Sequence, residues 1–109
     1  MAIHHALSGE LIDVRPLGDE LANTTTRTLY KTEHLEVFRV ILRAGKAMPA
    51  HRVAGEITVQ CLEGCIEFTT DKMQRMHGGD LICLAGGELH ALKAIDDSSA
   101  IVTVLLHGA

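Results

Sequence analysis

Two histidines, His51 and His90, stand where the sequence could place imidazoles for chemistry. An imidazole can bind a metal, carry a proton or hydrogen-bond a ligand. His51 ends a run of small residues, GKAMPAH, and precedes an alternating stretch. There Ile57, Val59 and Cys61 point one way and Thr58 and Gln60 the other, which reads as a half-buried strand. His90 follows a strand and a glycine turn in GDLICLAGGELH, then starts a second alternation with Leu92 and Ala94 on its own side. The alternation aims His90 inward.

Other reactive types carry less. Cys61, Cys65 and Cys83 form an odd set without CxxC spacing, so neither a disulfide framework nor a structural zinc site is expected. They read as small buried hydrophobes, and Cys61 lacks a basic neighbour that would lower its pKa. Arg39 is either an inward anchor for a carboxylate or a surface residue. Met48, Met73 and Met76 read as packing residues. His4, His5, His34, His77 and His107 lie in the N-terminal arm, at turns or near the C-terminus, and read as surface residues. No nucleophile elbow, phosphate-binding loop or carboxylate pair of recognisable spacing occurs.

The elements that must hold the two histidines are short. Residues 1–9 read as a loose arm and Glu10–Val14 as a first strand, stopped by Pro16 and Gly18. Leu17–Leu21 is a helical turn. Thr24–Thr32, Leu35–Leu42, Ile57–Leu62, Cys65–Thr70, Met73–His77, Leu81–Ala85, His90–Ile95 and Ala100–His107 follow as strands, with turn residues between them. Leu81–Ala85 lacks alternation, so both its faces should be buried. About nine closely spaced strands without an ordinary amphipathic helix define an all-β sandwich or antiparallel barrel.

Composition excludes several functions. The 109 residues suit a single domain, and the net charge is -4 with no basic stripe, so nucleic acid is not an expected partner. The only aromatic residues besides histidine are Tyr30, Phe38 and Phe68, too few to form stacking platforms. The apolar run Ala100–Leu106 is too short to span a bilayer, and no secretion signal is visible. A cytoplasmic protein without a membrane partner is expected.

The two histidine stretches resemble the motifs of the cupin family. The first motif, G-x5-H-x-H-x3,4-E-x6-G, is met by Gly45, His51 and Gly64. The second, G-x5-P-x-G-x2-H-x3-N, is met by Gly79, Gly87 and His90. The 14 residues between Gly64 and Gly79 suit the short inter-motif segment of small, single-domain RmlC-like cupins. The resemblance implies a single domain over residues 1–109, folded as an antiparallel cupin β-barrel (a double-stranded β-helix, or jelly roll). Two of the four departures fall on metal ligands. The second histidine of the first motif falls on Val53 and the glutamate on Ile57, while Ala85 and Ala94 replace the proline and asparagine of the second.

The family's usual centre holds iron, manganese, nickel or zinc with three histidines and one glutamate. Only His51 and His90 remain here, and two imidazoles alone bind a divalent ion weakly. Glu56 is the candidate third ligand, provided a bulge at Gly55 turns it inward; plain alternation faces it outward. Metal binding stands beside the plainer alternative of two neutral imidazoles bonded to water or to each other.

The favoured expectation is a small-molecule site lined by His51, Val53, Ile57, Val59, His90 and Leu92, with weak divalent metal binding as an addition. Two alternatives are a metal-dependent dioxygenase or isomerase, and an assembly module whose barrel is filled by side chains. A homodimer is expected, because Leu35–Leu42, Leu81–Ala85 and Ala100–Leu106 are apolar on both faces.

Overall fold

The computed structural model describes residues 5–106. His4 and His107 lie outside them. Among the described residues there are nine strands and one 3-10 helix, Gly18–Asn23. The strands are β1 (Arg27–Lys31), β2 (Leu35–Leu42), β3 (Ala47–His51), β4 (Ile57–Glu63), β5 (Cys65–Thr69), β6 (Met73–His77), β7 (Leu81–Leu84), β8 (His90–Ala94) and β9 (Ser98–Leu105).

They form two antiparallel sheets, a five-stranded one in the order β1-β2-β9-β4-β7 and a four-stranded one in the order β3-β8-β5-β6. Alternation decides what lies between them. Val40 and Leu42, Ile57, Val59 and Cys61, and Ala100 and Val102 face inward from the first sheet. Ile66, Phe68, Met76, Leu92 and Ala94 answer from the second. Phe68 and Ile66 are fully buried, so truncating either to alanine should cost about 2–5 kcal/mol.

Two bulges set which side chains reach the interior. In the β4–β9 ladder, Cys61 pairs Ala100 but Glu63 pairs Ser99, so β4 carries one extra residue. Without it Glu63 would follow Cys61 inward; the bulge moves it to the outer face. In the β3–β8 ladder, Met48 pairs Leu92 and His51 pairs His90, so β3 has its extra residue at Pro49–Ala50. Proline has no N–H to give a ladder, and β3 is an edge strand, where that loss is tolerated.

Two glycines are required by geometry. Gly64 turns β4 into β5 with φ +88°. A Cβ on Gly55 would lie 1.7 Å from the Leu105 carbonyl oxygen, so only glycine lets the β3–β4 loop lie against β9.

Several sequence expectations are corrected. Glu10–Val14 is not a strand, because it pairs with no sheet, and β3 takes its place in the count. The arm is not wholly loose: the Ala6 N–H donates to the Leu29 carbonyl at 2.7 Å. β7 is not buried on both faces, since it is an edge strand with Leu81 59% exposed and Cys83 exposed. Met73 is also exposed, so it does not pack the core.

Candidate functional site

His51 and His90 are a cross-strand pair with ring centroids 4.4 Å apart and planes tilted by 55°. The β3 bulge makes the pairing. Uninterrupted alternation from inward Met48 would bring Ala50 opposite His90 and turn His51 outward. His90 is 4% exposed and lies parallel to Phe68, with centroids 5.8 Å apart. His51 is exposed and sits at the rim.

Each ring is held by the backbone carbonyl two residues before it. His51 Nδ1 lies 3.1 Å from the Pro49 carbonyl oxygen, and His90 Nδ1 lies 3.0 Å from that of Glu88. A carbonyl oxygen only accepts, so each Nδ1 carries the hydrogen and donates. In a neutral ring that leaves Nε2 as a bare acceptor. Among the described residues neither Nε2 has a hydrogen-bond partner.

The pair opens on a cavity of about 80 Å³ between the sheets. Val53, Ile57, Val59 and Leu92 line it together with the two histidines. The structure thus brings all six residues of the expected pocket into one place. Phe38, Met48, Val102 and Val104 complete the wall. Phe38, Val102 and Val104 alternate inward on β2 and β9, a signal the sequence carried without showing that those strands face this histidine pair. Met48 is more than packing, since it lines the cavity beside the rings.

Glu56 does not join them. It is exposed outside the cavity wall, and no group of three metal-ligating His, Cys, Asp or Glu residues occurs among the described residues. No bulge turns it inward: Ile57 begins β4 in regular register with Val104. The residues present therefore do not fit a centre of three histidines and one glutamate. The two remaining ligand positions, Val53 and Ile57, present aliphatic side chains to the cavity.

Arg39 is neither a surface residue nor a ligand anchor in this cavity. It is 5% exposed on the outer face of the five-stranded sheet, covered by the chain around Arg15–Gly18. Its Nη2 donates to Glu63 Oε2 at 3.2 Å, Ser99 Oγ at 3.1 Å and the Arg15 carbonyl at 2.7 Å. Glu63 also accepts from the Ser99 hydroxyl and from the Leu17 and Gly18 N–H groups. Burial pushes the Glu63 carboxyl up, but the Ser99, Leu17 and Gly18 bonds and the Arg39 charge outweigh it and hold its pKa below the usual value. This cluster fastens the N-terminal stretch to the sheet. Cys61 is fully buried, and burial raises its thiol pKa, as befits a core residue.

The two facing antiparallel sheets have the fold of solved structures described as RmlC-like cupins, a double-stranded β-helix. No protein-family model matches the sequence, and no curated protein matches it either. Among solved structures, a conserved protein of unknown function from Streptococcus pyogenes is similar over 100% of both chains, at 24% identity and TM-score 0.75. An RmlC-like cupin with a double-stranded β-helix fold from Methanocaldococcus jannaschii covers 92% of this chain and 95% of its own, at 16% identity and TM-score 0.73. The DMSP lyase DddQ from Ruegeria pomeroyi matches 86% of this chain and 53% of its own, at 22% identity and TM-score 0.69. At these identities the likeness concerns the fold.

Proposed function

We propose that this chain binds a small molecule in the cavity between its sheets, with His51 and His90 as the polar contacts. The observation that carries the reading is the cavity itself: an aliphatic wall on which two imidazoles converge at one end. Ligand sites take this general form, mostly apolar with a few polar groups that fix orientation. A barrel filled by side chains would leave no such space. A metal-dependent lyase, dioxygenase or isomerase finds only two of its four expected ligands here, so divalent binding at the pair is weak.

The test is thermal denaturation against a panel of small organic molecules in the presence of chelator. A binder raises Tm by mass action. Val104→Phe, which fills the cavity from β9, should abolish the rise. A panel without any binder, or a rise that persists in Val104→Phe, counts against the proposal.

The reading includes a homodimer formed through the outer face of the five-stranded sheet. Leu35, Val37, Ile101 and Thr103 are half-buried there, beside Leu105 at 47% and Leu81 at 59% exposure. An apolar row of this kind is the sort of surface a second copy covers.

A further inference from the structure

The polarity of the histidine pair narrows what the cavity accepts. Both Nδ1–H groups are committed to local backbone carbonyls, at Pro49 in β3 and at Glu88 in the turn before β8. Both Nε2 atoms are then lone-pair acceptors in a neutral pair. The two ring centroids lie only 4.4 Å apart, and both rings line the cavity. None of the ten residues lining the cavity is Lys or Arg. The nearest cation in sequence, Arg52, is exposed and does not line it. A carboxylate entering this space would find two lone pairs, an aliphatic wall and no compensating charge. Losing its hydration there is costly. A ketone would bring a further acceptor. A hydroxyl group brings the missing donor.

Size sets the second limit. The cavity is about 80 Å³, well below the roughly 150 Å³ of an apolar cavity that holds benzene. The body it takes is a short aliphatic one.

We infer that this cavity takes neutral, hydroxyl-bearing molecules with a short aliphatic body and rejects carboxylates and ketones of similar skeleton, because both imidazoles present bare Nε2 acceptors. The inference rests on the cavity being the ligand site. The ligand's hydroxyl donates to one Nε2, and its own oxygen stays toward the rim at His51, where water reaches it.

The experiment uses the intact chain at pH 8. Long-range proton–nitrogen NMR separates protonated from bare ring nitrogens. It should show Nδ1–H with bare Nε2 in both His51 and His90. Three probes are then titrated: 2-butanol, 2-butanone and isobutyrate. 2-Butanol should shift the Nε2 signal of one ring and bind about tenfold more tightly than 2-butanone, the worth of one added hydrogen bond, while isobutyrate leaves both rings unchanged. An Nε2–H tautomer in either ring overturns the inference. Equal or tighter binding of 2-butanone or isobutyrate overturns it too, but leaves the ligand-site reading standing. If no probe shifts either ring, the inference falls, while the ligand-site reading is decided separately by the Tm panel and Val104→Phe.

Discussion

His51 meets His90 because β3 carries one residue more than β8 opposite it. The two rings are nevertheless in unlike settings. One is exposed at the rim, and the other is 4% exposed and parallel to Phe68. Function and stability should therefore separate between them. His90→Ala removes a buried ring and opens space beside Phe68, at a cost of about 2–4 kcal/mol. His51→Ala removes an exposed ring and should cost under about 0.5 kcal/mol. Urea denaturation of both variants checks the difference. Equal losses would mean that the rim histidine is part of the core.

A second expectation concerns the two aliphatic side chains at the family's remaining ligand positions. Val53→His with Ile57→Glu supplies the missing donors on a wall that already faces the pair. Without metal, the new polar groups should cost on the order of a few kcal/mol. A bound ion reverses the sign, because binding to the folded state adds to its stability. Tm of the double variant should lie below that of the parent in chelator and above it in manganese or zinc. The parent should change little in the same comparison. A parent that gains many degrees with metal, and loses the gain in Glu56→Ala, would contradict the outward placement of Glu56.

Acid should release the N-terminal stretch. The folded-state pKa of Glu63 is held below its ordinary value of 4.5. Its contribution is therefore present above the unfolded-state pKa and lost as pH falls through the folded one. The stability gap between the parent and Glu63→Gln should be open at pH 7 and should narrow steadily below about pH 4. Arg39→Met leaves Glu63 without its cation and should cost about 3 kcal/mol at neutral pH. Denaturant titrations across pH read both effects. A gap that widens in acid would reverse the assigned sign.

The outer sheet face supplies a test of assembly. Ile101 lies between Arg39 and Gln60 in the ladder, near the middle of the half-buried row. Ile101→Lys places a charge there and should shift sedimentation from dimer to monomer at micromolar concentration. A parent that already sediments as a monomer removes the proposal.

The sequence revealed most where periodicity and turn residues agree. β2 and β6 have the bounds read from Leu35–Leu42 and Met73–His77, because β-branched or alternating residues end at clear turns. The inward set Ile57, Val59 and Leu92 could be read by counting twos. β3 could not, since Ala47, Pro49 and Ala50 have little strand character and its pairing depends on a bulge. The same limit hid Glu63, whose outward turn depends on an extra residue in β4. Glu10–Val14 failed in the opposite direction: Leu11, Ile12 and Val14 look strand-like, but no neighbouring strand offers them hydrogen bonds. Local pattern reports what a segment tolerates, whereas pairing partners decide what it becomes.

The place of β9 has a consequence for how the chain is made. It follows every other strand in sequence, yet it lies between β2 and β4 at the centre of the larger sheet. During synthesis those two strands emerge with no common partner and present open hydrogen-bonding edges. The larger sheet cannot be completed until β9 has cleared the ribosome and inserted between them. A stalled or prematurely released nascent chain would keep both edges exposed, and such species are prone to aggregate.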